Sequence, residues 1–155
     1  FIPTVKTNIK THQISHEDRF LDFPKELPIF LYSETFSKAA FPILKNHPPR
    51  FIYERYSCGS TSGLELAKQF QVPFILEYNG SEVWVGKHWG KPFRYEEMFL
   101  KIEELNLQAA QLIVVVSAPL KEQLVERGID PHKILVNPNG VDPKKYSPEI
   151  DGSPK

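Results

Sequence analysis

Four apolar runs in this chain each stop at polar residues, and the side chains at those stops are the ones equipped for chemistry. Arg55, Tyr56 and Ser57 close the first run, Tyr78-Asn79-Gly80-Ser81-Glu82 the second, Ser117 the third and Asn139-Gly140 the fourth. The forked donors of Arg55 suit phosphate or sugar oxygens, although an ion pair with Glu54 or Glu77 would occupy the same group. Glu77 and Glu82 bracket the Asn79-Gly80 turn. A carboxylate there can orient a hydroxyl, or deprotonate it if its pKa is raised; it can equally serve as a helix cap or surface charge. Asn79 can donate and accept hydrogen bonds but does not titrate near neutrality. Gly80 and Ser81 are small enough to let a ligand approach the backbone.

The elements that must position these groups follow from periodicity. Residues 1–22 are polar and weakly periodic, which predicts an irregular arm. From Phe23 the apolar residues recur at three- and four-residue steps until Pro48-Pro49, fitting one or two helices despite Pro28 and Pro42. Arg50 to Tyr56 reads as a strand. The Ser62-Gly63-Leu64-Glu65 capping box opens a helix, and Val72 to Tyr78 reads as a second strand. Arg94 to Gln111 carries Met98, Phe99, Ile102, Leu105 and Ala109 on one helical face. Leu112 to Val116 is an uninterrupted, mostly β-branched run, as expected of a strand buried on both faces. Ser117 caps the next helix, with Pro119 in its first turn and Gly128 at its end. Ile134 to Val136 makes a fourth strand. Strands alternating with helices predict an α/β fold, a three-layer Rossmann-like domain with a mostly parallel sheet. In such sheets ligands bind beyond the carboxyl ends of the strands, where all the residues above fall.

Composition narrows the function classes. Lysine plus arginine equals aspartate plus glutamate at 19 each, which argues against a duplex nucleic-acid binder. The single cysteine, Cys58, excludes an internal disulfide and fits a reduced, cytoplasmic setting. It precedes a helix, where a thiolate is stabilised, but a small buried thiol is the commoner arrangement. His12, His16, His47 and His132 lack metal-ligand spacing, so no metal site is expected. No apolar run approaches the roughly 20 residues of a membrane span. No glycine-x-glycine fingerprint follows a first strand, which argues against a dinucleotide oxidoreductase. Asn79-Gly80-Ser81 matches an N-glycosylation sequon. Trp84, Lys87, His88, Trp89, Lys91 and Arg94 form a basic, aromatic stretch read as a loop. It suits a sugar face, a lipid-linked acceptor or an anionic membrane, or else packs its tryptophans on the core.

The segment QLIVVVSAPLKEQLVERGIDPHKILVNPNGVDPKKYSP, Gln111 to Pro148, resembles the end of the amino-terminal domain of family 4 retaining glycosyltransferases of the GT-B fold. Its markers are a hydrophobic strand ending in Ser117 and the Asn139-Gly140-Val141-Asp142 turn before a linker. PFILEYNGSE, Pro73 to Glu82, is similar to the strand before it, and FIYERYS, Phe51 to Ser57, to the one before that. Two departures stand out: Asn79 occupies a position where many relatives have histidine, and residues 1–22 contain no glycine, so the family's early glycine-rich loop is missing.

Periodicity and composition predict domain boundaries of 23–146, with the polar Pro/Gly/Ser stretch 147–155 as a linker, and the resemblance implies a second, carboxy-terminal GT-B domain beyond it. The resemblance also implies retaining transfer from a nucleotide-sugar donor held mainly by that second domain, with no other cofactor and no obligatory metal. This chain would form the acceptor half of the cleft and be inactive alone. Arg55, Tyr56, Asn79, Gly80, Ser81 and Glu82 would bind a carbohydrate or lipid-linked acceptor, with Ser117, Asn139 and Gly140 at the cleft edge. Asn79 and Glu77 are the catalytic candidates. The expected location is cytoplasmic, including the inner face of a membrane as a peripheral protein. Two other readings remain open: a stand-alone, non-catalytic sugar- or nucleotide-binding module, and an interaction scaffold.

Overall fold

Small side chains let the first helix lie close to its neighbour. In the computed structural model, which describes residues 26–142, α1 (Leu27–Asn46) is a single helix. It buries Ser33, Ser37 and Ala40. Pro28 sits in its first turn, where a missing N–H costs nothing. Pro42 lies within the helix on an exposed position, so the carbonyl it leaves unpaired can turn to water. The arm expected at 1–22 and the linker at 147–155 lie outside the described residues.

The alternation then unfolds as β1 (Ile52–Arg55), α2 (Ser62–Phe70), β2 (Phe74–Tyr78), α3 (Glu82–Trp89), α4 (Glu96–Ala109), β3 (Leu112–Val115), α5 (Ala118–Glu126) and β4 (Ile134–Val136). All pairings are parallel, in the order β1-β2-β3-β4. This is a Rossmann-like α/β architecture with a parallel sheet, as the alternation of strands and helices predicts. Successive crossovers running one way with one hand put their helices on one side of the sheet.

The register agrees. Ile52, Phe74, Leu76, Tyr78, Ile113, Val115, Ile134 and Val136 face the helices and join Leu64, Ala67, Leu107 and Leu124 in one core. The alternate residues Tyr53, Arg55, Ile75, Glu77, Leu112, Val114 and Leu135 share the opposite face. The described helices pack against the first face only, so two of the three expected layers lie within the described residues. Tyr53 and Leu135, on the other face, are half exposed.

Three local expectations are revised. The cap of α2 is Thr61, not Ser62: the Thr61 hydroxyl donates to Glu65 at 2.6 Å, while the Gly63 N–H donates to Glu54 at 2.8 Å. A carboxylate from β1 thus does what a local cap was expected to do. The stretch after Ser81 is a helix, α3, whose cap is Ser81 accepting the Trp84 N–H at 3.4 Å. The aromatic and glycine content of that stretch masked its short helical turn. Finally, α4 begins at Glu96 with Tyr95 as its N-cap, later than expected, and the Arg94 and Tyr95 N–H groups donate to the Glu26 carboxylate at 2.7 and 2.9 Å. Phe30 stacks on Phe99 at 4.6 Å beside that clip, in a second core with Cys58 and Val83.

Candidate functional site

Because the four strands are parallel, their carboxyl ends lie on one edge of the sheet, and the pleat decides which way each end residue turns. At the end of β2, Tyr78 turns into the core and Glu77 to the opposite face. Glu77 accepts a hydrogen bond from the Tyr53 hydroxyl at 2.6 Å and another from Asn79 Nδ2 at 3.1 Å. Arg55 Nε lies 3.8 Å away, with its side chain 74% exposed. Arg55, Glu77 and Asn79 therefore meet, joined by Tyr53, which is not among the expected site residues. Its signal was present, since Tyr53 stands two residues before Arg55 and so shares its face.

The electrostatics of this group follow from its donors. The hydrogen bonds from Tyr53 and Asn79, and then the charge of Arg55, hold the Glu77 carboxyl below the usual carboxylate range. The same contact raises the Tyr53 phenol. Glu77 is thus an ionised acceptor at neutral pH and a weak base, better suited to holding Asn79 and Tyr53 than to removing a proton.

Gly80 follows at φ +119°, a backbone conformation that side chains disfavour, and turns the chain into α3. Glu82, in the first turn of α3, has a different environment from Glu77. It lines a cavity of about 480 Å³ with Ser57, Cys58, Ser60, Tyr32 and Phe93. Four residues stand between the two carboxylates in sequence, but they face different surfaces.

Other expected site residues are distributed unevenly. Tyr56 is buried, its ring 5.8 Å from that of Tyr78, and burial with the charge of Glu103 pushes its hydroxyl well above the ordinary value. It supports the rim from below and does not reach it. Ser117 is the N-cap of α5, accepting the Leu120 N–H at 3.4 Å. Asn139 and Gly140 are exposed beyond β4. Cys58 is buried, and its thiol is pushed up to about 12, first by burial and then by the charges of Glu82, Glu103 and Glu26, so it stays protonated.

Beneath the rim lies a polar cluster that periodicity did not reveal. Glu103 of α4 is fully buried and accepts from Arg127 at 2.8 Å and from the Tyr78 hydroxyl at 3.1 Å. Arg127 also reaches Glu104 at 3.0 Å. Asn106 donates to the Ser60 carbonyl at 2.8 Å, holding the loop between β1 and α2. These contacts fix the strand ends from the helix side.

Among the described residues no group of three or more histidine, cysteine or acidic side chains could hold a metal ion, and no helix is long and apolar enough to cross a membrane. A search of curated proteins finds no match. The family model described as Glycosyltransferase Family 4 matches residues 9–145, which include every element above. A parallel Rossmann-like sheet with polar groups gathered at its carboxyl edge is the arrangement that match leads one to expect, and the chain belongs to glycosyltransferase family 4.

Proposed function

We propose that this domain forms the acceptor-binding half of a glycosyltransferase cleft, for retaining transfer of a sugar from a nucleotide-sugar donor. The donor phosphates and nucleotide belong to a second, carboxy-terminal GT-B domain, and transfer needs no obligatory metal. The acceptor is a carbohydrate or a lipid-linked carbohydrate, met on the cytoplasmic side. By itself the domain binds without turning over.

One observation carries this reading: the family match over residues 9–145 coincides with polar strand ends on a single edge, beside the cavity that Glu82 lines. Each group then has a part suited to its chemistry. The exposed guanidinium of Arg55 is available for acceptor oxygens. Glu77, already ionised, holds Asn79 through its Nδ2 and leaves the carboxamide oxygen to accept from an acceptor hydroxyl. Gly80 keeps the rim open, since nothing stands within 4 Å of the space a side chain there would enter. Glu82 orients a hydroxyl entering the cavity. Ser117, Asn139 and Gly140 mark the edge toward the second domain.

The test is a transfer assay of the protein joined to that second domain, run against a panel of nucleotide sugars. The anomeric configuration of the product is compared with that of the donor by NMR. Retention and no turnover by residues 1–155 alone are expected. Inversion would sink the retaining assignment, and turnover by this chain alone would sink the division of labour.

A further inference from the structure

The short helix α3 is amphipathic the wrong way round for a surface helix. Its inward positions are Val83, which is buried, and Gly86, packed against the Phe93 ring and the Lys91 carbonyl. Its outward positions are Trp84, Val85, His88 and Trp89. Trp84 is 50% exposed and Trp89 80%. The rings form one assembly: Trp84 stacks on His88 at 4.3 Å, and Trp89 stands edge-on to Trp84 at 5.4 Å. These are the only two tryptophans of the chain, and both are turned away from its cores.

The charge nearest them is mostly basic, with Glu82, Glu96 and Glu97 at its margins. Residues 83–95 contain Lys87, His88, Lys91 and Arg94 and no acidic residue, in a chain whose formal net charge is zero. Lys87 approaches Glu96 at 3.8 Å, while Lys91 and Arg94 are exposed. Indoles prefer the boundary between water and hydrocarbon, where the ring is buried and the N–H stays wet. Lysines and arginines beside them are drawn to anionic headgroups. We propose that this outward face of α3, with the 87–94 cations, docks peripherally on an anionic lipid surface. α3 starts directly after the Gly80-Ser81 turn, so docking would bring the carboxyl edge of the sheet to the headgroup layer. The proposal stands apart from the glycosyltransferase reading, since it depends only on this patch.

The experiment uses the 155-residue chain with vesicles of phosphatidylcholine, with and without phosphatidylglycerol. Co-sedimentation is read together with intrinsic tryptophan emission, which reports this face alone. Expected are sedimentation with the anionic vesicles only, a blue-shifted emission, and weakening of both as salt is raised. Trp89→Ser should remove most of the blue shift, and its far-UV circular dichroism should be unchanged because the ring is 80% exposed. Replacing Lys87, Lys91 and Arg94 by Gln should weaken partition by roughly fivefold per cation. Absence of sedimentation with anionic vesicles would overturn the proposal. So would equal partition of the parent and both variants. An emission change on adding maltooligosaccharide, without vesicle binding, would overturn it and give the aromatic face to carbohydrate.

Discussion

The Tyr53 hydroxyl donates to the Glu77 carboxylate at 2.6 Å, across neighbouring strands and on the sheet face opposite the described helices. That bond is the largest cause of the depressed Glu77 pKa, ahead of Asn79 and Arg55. Tyr53→Phe should therefore move the Glu77 titration upward, toward the ordinary carboxylate value. Arg55→Gln should move it less. Side-chain carboxyl NMR against pH measures both, and a larger effect from Arg55 would invert the assigned order of causes.

The close approach of Gly63 to β1 and β2 makes a second expectation. A Cβ there would press on the Glu54 carboxylate and come within 2.9 Å of the Phe74 ring, which is 1% exposed. Alanine favours a helix over glycine by about 1 kcal/mol. Overpacking costs about 1–3 kcal/mol, and the Glu54 bond to the Gly63 N–H is disturbed as well. The clash should win, so Gly63→Ala is expected to lower stability by about 1–3 kcal/mol in urea unfolding. Gly140→Ala, in open space, should stay within about 0.5 kcal/mol.

Glu54 itself gives stability a pH dependence. Burial raises its pKa, and the bonds from Ser60 and Gly63 only partly offset this. A group whose folded-state pKa lies above its unfolded value contributes stability that is complete below the unfolded pKa and is lost as pH rises through the folded pKa. Glu54→Gln should therefore flatten the loss of stability on going from acid toward neutral pH. Parallel denaturation midpoints for the parent and the variant across that interval test this; identical slopes would contradict it.

Much of this was legible in sequence because the signals were local. The β-branched run Leu112–Val115, the alternation of Phe74–Tyr78 and the Ser117 cap each state an element within a few residues. What escaped was set by partners distant in the chain. Glu103 reads as one more polar residue on α4, and only Arg127 and the Tyr78 hydroxyl, arriving from other elements, make it a buried centre. Glu54 caps α2 from a neighbouring strand, so the local Ser62–Glu65 pattern pointed to the wrong cap. The position of Tyr56 after β1 points to the rim, but the pleat sends its ring inward. Strand ends say which edge a residue occupies, and side-chain direction needs the register.

Arg127 tests how firmly that buried centre holds the rim. Removing it leaves the Glu103 charge, fully buried, without its cation, and breaking such a pair costs about 3 kcal/mol or more. Arg127→Ala should lose about that much in thermal or urea unfolding. Lys38→Ala, whose ion pair with Glu34 is exposed on α1, should lose far less. Equal losses would mean that the Arg127–Glu103 pair does not anchor the rim.

Arg55 separates fold from function. Its side chain is 74% exposed and its distance to Glu77 is 3.8 Å, so its ion pair contributes under about 1 kcal/mol to stability. A guanidinium bonded to acceptor oxygens contributes about 1.5–3 kcal/mol to their binding, which is roughly a 10- to 150-fold change. In the two-domain enzyme proposed above, Arg55→Ala should leave the unfolding midpoint near its parent value while cutting kcat/KM for transfer by about that factor. Arg55→Lys should restore only part, because an ammonium lacks the fork that grips two oxygens at once. Unchanged kinetics at unchanged stability would remove Arg55 from the acceptor surface and leave it as a partner of Glu77 alone.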